Sequence, residues 1–497
     1  MESKNKKAIC IAVLGTGSDV GKSIIATAIC RYLKQKGLKV APYKAQNMSN
    51  NSGVTPEGLE MGRAQIVQAE AAGVVPHVDM NPILLKPTSE TGAQIVLFGK
   101  ALENSTAIQY HKKKEYFFQK AKNALDRLRK EYEIIIIEGA GSCAEVNLMP
   151  SDIVNFRMAE YAKADVILIA DIHKGGVFGQ LIGTLECIPE KFANMITGFI
   201  INRFKGDITL FETGIEWIEK KSGKKVFGVL PWYNDITIEA EDSVVIETPE
   251  LKANNTDNLP EIVVIRLPHI SNFTDFQPLI NINAINLVFA EKVKNLSKCS
   301  AVIIPGSKNT RFDLDWINKA GWADEIKEYV KSGGHLLGIC GGYQMMGSVI
   351  HDPEGLEGHP GSTSGLDLLP VETILKAPKT TTLSKFKWDK VVGTGYEIHM
   401  GYTTRNKGEL SMFNVYKRNK VRCEHYDGCI INDGQIQGTY MHGIFDEPEI
   451  TKKWLKKTGL DYIKVNYKGG LAQREIEYDR LAKHFEKYIN MDKIIQE

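Results

Sequence analysis

Between an apolar run, Ala8–Leu14, and a helix-compatible stretch, Ile24–Lys36, stands Gly15-Thr16-Gly17-Ser18-Asp19-Val20-Gly21-Lys22-Ser23. No other feature restricts the fold as much, because it demands a strand, a glycine-rich turn and a helix in that order. Glycines let the backbone curl until its N–H groups and the helix N-terminus face a polyphosphate. In that arrangement Lys22 reaches the outer phosphates and the Ser23 hydroxyl takes Mg²⁺. Thr16, Gly17, Asp19, Gly21, Lys22 and Ser23 are therefore the candidate ATP contacts. The commonest form of the loop has four residues between its two glycines. Here Thr16 occupies the first glycine position and Gly15 stands one residue earlier, the pattern of a subgroup. The competing reading, a plain glycine-rich turn, needs Gly-Lys-Ser to occur in this context by accident.

The strand-and-helix rhythm continues downstream. Short β-branched runs recur at Ile134–Glu138, Val166–Asp171, Gly198–Asn202 and Val226–Leu230, separated by helix-like stretches. Continuous apolar strands alternating with helices predict a parallel sheet covered on both faces. Residues 247–260 (ETPELKANNTDNLP) are polar, aperiodic and carry two prolines, which marks a boundary. The pattern then restarts with strands at Glu261–Leu267, Ala301–Pro305 and His335–Cys340. The expected organisation is α/β throughout: a doubly wound phosphate-loop domain (1–246), a linker (247–260), a second doubly wound domain (261–450) and a charged amphipathic helical extension (451–497). A chain of 497 residues is long enough for two or three such cores.

The bulk chemistry excludes several function classes. A net charge of +2 with interspersed signs predicts neither nucleic-acid nor membrane binding. No apolar run reaches the roughly 18 residues of a membrane-spanning helix. The N-terminal residues feed the phosphate-loop strand, which argues against a signal peptide. Eight cysteines scattered without CxxC pairs fit reduced thiols and a cytoplasmic location.

Other polar residues fall where ligands bind in such sheets, beyond the carboxyl ends of the strands. Glu138 ends one strand and precedes Gly-Ala-Gly, well placed to hold the nucleotide's Mg²⁺. Asp171 ends the next and precedes His173-Lys174-Gly175-Gly176. For each acid a helix N-cap is the alternative. Lys44, Gln46, Asn47, Asn50 and Asn51 crowd into KAQNMSNNS, a density of amides that predicts a loop. Its position on the active edge makes Lys44 a candidate ATP contact and Gln46, Asn47 and Asn50 candidate substrate contacts, with Asp171 beside them.

The second half carries a different signature. His335-Leu-Leu-Gly-Ile-Cys340-Gly341-Gly342-Tyr-Gln344 reads as strand, cysteine, glycines and helix, a nucleophile elbow. A helix N-terminus behind the sulfur favours its reactive form. Such a cysteine can equally be inert, but two further segments add to it. Pro305-Gly306-Ser307-Lys308-Asn309-Thr310 ends a strand in a glycine turn whose N–H suits a developing oxyanion, a donor worth ~3 kcal/mol. Gly438-Thr439-Tyr440-Met441-His442-Gly443 supplies a candidate general base for Cys340.

The elbow, the Pro-Gly-Ser-Lys-Asn-Thr turn and Tyr-Met-His-Gly resemble the class I glutamine amidotransferases, in the branch of the cobyric and cobyrinic acid synthases. The phosphate loop with Glu138-Gly-Ala-Gly is similar to dethiobiotin synthetase and its relatives. Both halves in this order, with KAQNMSNNS, Asn81–Pro87 (NPILLKP), Arg266–Phe273 (RLPHISNF) and Gly395–His399 (GYEIH), resemble the cobyric acid synthase family to about Asp446. The resemblance implies ATP, Mg²⁺ and L-glutamine as reactants and amidation of carboxylates b, d, e and g of adenosylcobyrinic acid a,c-diamide. It implies Cys340 and His442 as the glutaminase pair, with Gly306, Gly341 and Gln344 around the oxyanion and glutamine, and an enclosed route for ammonia between the domains.

Two departures from the pattern matter. Many class I members carry Glu two residues after the histidine; here Ile444 stands there, so the third member is missing or replaced, and the pair reads as a Cys–His dyad with slow glutamine hydrolysis. The relatives' Asp-Arg-Gly-Gly becomes His173-Lys174-Gly175-Gly176. The alternatives are a cobyrinic acid a,c-diamide synthase, a cell-wall amidating ligase, or a non-catalytic nucleotide-binding scaffold with a dead amidotransferase domain. Oligomeric state leaves no mark on the sequence.

Overall fold

In the computed structural model, residues 8–88, 92–233, 236–239 and 259–495 are described; of the expected linker only Leu259 and Pro260 fall among them. Two six-stranded sheets organise the chain. The first is wholly parallel, in the order Lys225–Pro231, Ile196–Phe204, Asp165–Asp171, Ile9–Gly15, Ile134–Glu138, Val40–Tyr43. Its central strands read Ile-Cys-Ile-Ala-Val-Leu and Ile-Ile-Ile-Ile because helices cover both faces and leave no polar side. The phosphate-loop strand lies between the strands that end in Glu138 and Asp171, so loop and both acids share one edge.

The second sheet runs Asn286–Ala290, Glu261–Ile265, Ala301–Ile304, Leu336–Ile339, Ile436–Thr439, Cys429–Ile431, parallel except for its last pair. The elbow strand Leu336–Ile339 and the strand leading to His442 are neighbours in register, Ile339 opposite Thr439. Cys340 and His442 are thereby delivered to the same end of the sheet. Among the described residues no helix is long and apolar enough to cross a membrane.

Two expectations require correction. The amide-rich segment is not a plain loop: Gln46–Met48 is a strand parallel to Ile83–Leu85, and Ser52–Val54 forms a hairpin with Glu60–Gly62. Low strand propensity is outweighed by side-chain partners: Asn47 donates to Gln65 at 2.8 Å, and the Tyr110 hydroxyl donates to Gln46 at 2.5 Å. The C-terminal stretch is also not one appendage. Pro448–Lys457 buries Ile450 and Trp454 against the second sheet. Gly470–Tyr488 returns to the first, where Leu481 and Phe485 join the core around Ile25 and Ile29. There Arg31 pairs with Asp479 at 2.8 Å, and Arg474 reaches Glu70 at 2.8 Å and Asp446 at 3.0 Å.

Candidate active sites

The phosphate loop is held by its own strand and by the next acid-bearing turns. Gly21 has φ 97° and caps the helix Lys22–Gln35; a Cβ there would sit 2.1 Å from Asn202 Nδ2, so only glycine fits. Thr16 is anchored to Ile169 through its backbone N–H at 3.0 Å. Asp19, at φ 53°, pairs with Arg203 at 2.9 Å, and the same guanidinium reaches Asp171 at 2.8 Å. Asp171 also accepts from the His173 N–H at 2.7 Å, and the cap of the following helix is Gly176. It is therefore not a helix cap but part of an Asp19–Arg203–Asp171 brace. Lys22 donates to the Gly17 and Gly141 carbonyls at 2.9 and 2.8 Å, which holds it over the curl of the loop.

Glu138 is the hub of this edge. It is fully buried, and its carboxylate accepts from the Ser23 hydroxyl at 2.7 Å and from Lys44 at 3.0 Å. The Gln65 and Gln68 amides donate to its other oxygen at 3.3 and 2.5 Å. Gln65 and Gln68 escaped the sequence reading because helical spacing alone does not tell which amides turn inward. Magnesium takes oxygen ligands and keeps places for water and substrate phosphates. A hydroxyl and a carboxylate oxygen in hydrogen-bond contact, next to a lysine-bearing loop, fit that ion and a polyphosphate. Among the described residues no cluster of three or more His, Cys, Asp and Glu could hold a metal by itself. Of the candidate substrate residues, Gln46 and Asn47 are engaged as above, and Asn50 keeps a buried Oδ1 without a hydrogen-bond partner.

The second site is built on backbone strain. Cys340 has φ 53° and ψ −110°, a conformation that costs about 1–3 kcal/mol in a non-glycine residue and is kept at nucleophile elbows. Glycines make the turn possible: a Cβ on Gly342 would lie 2.0 Å from the Ile304 carbonyl oxygen. The sulfur is nearly buried and lies 3.4 Å from the Ile398 carbonyl. Gly341 packs on Ser307, and Gly306 packs between Ser271 and the imidazole edge of His442, so both predicted oxyanion glycines border the elbow. Gln344 is saturated inside the protein: it donates to Met400 O at 3.1 Å and Tyr440 OH at 3.0 Å and accepts from Thr310 at 3.2 Å. Tyr440 stacks on His399 with ring centres 3.7 Å apart, and both line a cavity of about 490 Å³ with Glu397, Arg405 and Arg418.

The expected dyad is corrected here. His442 Nδ1 lies 2.6 Å from Asp275 Oδ2, and the other oxygen of Asp275 accepts from the Gly443 N–H at 3.0 Å. Asp275 sits in the short turn Phe273–Phe276, two residues beyond RLPHISNF, and is buried. From a position 167 residues before the histidine it has the placement of a third member behind the candidate pair Cys340 and His442. Ile444 is instead fully buried among Phe445, Ile450 and Trp454, where a carboxylate would be desolvated. Burial works to lower the His442 pKa. The Asp275 charge and then the Cys340 sulfur outweigh it and push the imidazole up to about 10. Nε2 lacks a well-formed hydrogen bond, and the interaction left to the imidazole beside Asp275 is with the Cys340 side chain.

Comparison with known proteins finds a match over each half of the chain. Residues 11–245 match the CobQ/CobB/MinD/ParA nucleotide binding domain, and residues 261–450 match the CobB/CobQ-like glutamine amidotransferase domain. A cobyric acid synthase of Chlorobaculum tepidum is 48% identical over 490 residues, covering 97% of both chains. The chain belongs to the cobyric acid synthase family. A family member from Chlorobium phaeobacteroides is 49% identical and covers 98% of each chain. One from Thermoanaerobacter is 44% identical, again over 98% of each. The family assignment makes the protein a nucleotide-dependent glutamine amidotransferase and removes the non-catalytic scaffold from consideration.

Proposed function

We propose that the protein uses ATP and L-glutamine to amidate carboxylates b, d, e and g of adenosylcobyrinic acid a,c-diamide, giving cobyric acid. The observation that carries this reading is the Cys340–His442–Asp275 constellation in one chain with the Glu138-centred phosphate loop. Each half performs one part of an amide synthesis, and full-length relatives bear that enzyme's name.

At the first site a substrate carboxylate attacks the γ-phosphorus of ATP, releasing ADP and leaving an acyl phosphate. Thr16, Gly17, Asp19, Gly21, Lys22 and Lys44 form the cradle, and Gln46, Asn47, Asn50 and Asp171 stand at its rim. Mg²⁺, held by Ser23 and Glu138, would supply charge neutralisation on the phosphate oxygens. At the second site the Cys340 sulfur attacks the glutamine carboxamide, with Gly306 and Gly341 at the oxyanion and Gln344 bracing the pocket wall. His442 carries the proton that the departing ammonia takes, and Asp275 holds the imidazole so that Nε2 faces the reaction. Water then releases glutamate from the thioester. Ammonia displaces phosphate from the acyl phosphate, which favours an enclosed route, because bulk water would protonate it. Polar substrates of this kind and the unpaired cysteines fit a cytoplasmic enzyme.

The test is amidation of cobyrinic acid a,c-diamide in its adenosyl form, followed by mass. Four carboxylate-to-amide exchanges that require both ATP and glutamine support the reading. Exchange on the free cobyrinic acid at a and c instead would assign the diamide synthase reaction.

A further inference from the structure

The hairpin segment that follows Lys44 belongs to the first sheet's half of the molecule, yet it grips the turn that carries Asp275. Asn51 Oδ1 accepts from the Thr274 hydroxyl at 3.0 Å, with both groups buried. The Ser52 N–H donates to Asn272 Oδ1 at 3.0 Å. Asn272 stands at the N-cap of Phe273–Phe276 with φ 51° and makes no cap bond to its own turn. An asparagine in that position ordinarily serves the turn's free N–H groups; this one serves the neighbouring hairpin instead. Asp275 thus follows two residues, Asn272 and Thr274, whose side chains are engaged by Ser52 and Asn51.

The same segment is fixed at its other ends to Glu138. Lys44 precedes the hairpin and Gln65 and Gln68 follow it, and all three donate to that carboxylate. Within the hairpin, Glu60 accepts from Lys86 at 2.7 Å and from Lys379 of the second half at 2.6 Å, with all three groups buried. One stretch of chain therefore runs from the candidate phosphate site to the acid of the glutaminase triad.

We propose that Asn51 and Thr274 are positioning residues for glutamine hydrolysis: the first domain, through this contact, holds Asp275 against His442. The proposal rests on the reading of Cys340, His442 and Asp275 as a glutaminase site. It places support for one reaction in the domain that performs the other. A glutaminase supported in this way hydrolyses glutamine well only when the hairpin is seated.

The experiment uses the full-length enzyme. Thr274→Val removes the hydroxyl at nearly constant volume, and its glutamine kcat is expected to fall about 10- to 100-fold, the usual scale for a residue that orients a histidine. KM for glutamine stays within about twofold, because the contact does not touch the substrate. Thr274→Ser, which keeps the hydroxyl, restores kcat to within about threefold of wild type. Asn272→Gly tolerates the positive φ while removing the second contact, and lowers kcat in the same way should Thr274→Val fail to fold. Unchanged kcat in either folded variant, a loss confined to KM, or a Thr274→Ser enzyme as impaired as the valine variant would overturn the proposal. Amidation driven by ammonium chloride is measured alongside. Its absence in wild type counts against the proposed overall function, whereas its retention in Thr274→Val with kcat for glutamine intact counts against the positioning role alone.

Discussion

The two polar centres are built on opposite plans. Glu138 is a closed centre: each carboxylate oxygen accepts from two donors. His442 is an open one: Nδ1 is fixed by Asp275 while Nε2 has no well-formed partner beside a strained cysteine. The buried Glu138 carboxylate is stabilised by two neutral amides, one hydroxyl and one lysine, the surroundings in which the proposed cation would be received. A buried imidazole that must pass a proton is held on one side only. The difference is one of satisfaction: the hydrogen bonds of Glu138 come from four side chains, whereas Asp275 holds His442 through Nδ1 alone.

The contrast can be broken in order of expected effect. Cys340→Ala removes the nucleophile and should lower glutamine hydrolysis by at least ~10⁴-fold, read as ammonia release. Asp275→Asn should lower the glutamine kcat by roughly 10²- to 10⁴-fold with little change in KM, since it disturbs the orientation and charge of His442 rather than substrate binding. A value close to wild type would restore the dyad. Glu138→Gln should reduce ATP-dependent amidation by about 100-fold, measured with ammonium chloride as the nitrogen source so that any effect on the hairpin and Asp275 does not enter. Residual activity that does not respond to raised magnesium would argue against a metal at Glu138.

The smallest effect is a pH dependence of stability. The folded pKa of His442 is raised from 6.5 to about 10, chiefly by Asp275 against the opposing effect of burial. A raised pKa stabilises the fold fully below the unfolded value, and that stabilisation is lost as pH climbs through the folded value. The melting gap between wild type and Asp275→Asn should therefore be widest below pH ~6.5 and close as pH approaches ~10, on the scale of a few degrees. A gap that widens with pH would contradict the assignment.

What the sequence made legible was local. The phosphate loop and the elbow are each a strand, a turn and a helix within a few residues, and glycine at Gly21 and Gly342 marks where a side chain cannot fit. His442 followed from a motif beside a strand. Asp275 did not, because its pairing spans 167 residues and depends on which short turn packs under the histidine. Ile444 showed that the usual local acid is absent, but nothing near it in sequence pointed to a distant replacement. The amide-rich segment misled: its strands are held by Gln65, Tyr110 and the second sheet's turn, partners that propensity does not contain. The return of Gly470–Tyr488 to the first sheet is likewise a long-range event, fixed by Arg31 and by core contacts with Leu481 and Phe485.

The proposed division of labour between glutamine hydrolysis at Cys340 and carboxylate activation at the phosphate loop is tested most directly by changing the nitrogen source for Cys340→Ala. With ATP, adenosylcobyrinic acid a,c-diamide and glutamine, this variant should yield no amide by mass; with ammonium chloride in place of glutamine it should amidate the substrate as wild type does. Amide formation from glutamine by the variant, or failure with ammonium when wild type succeeds, would contradict it.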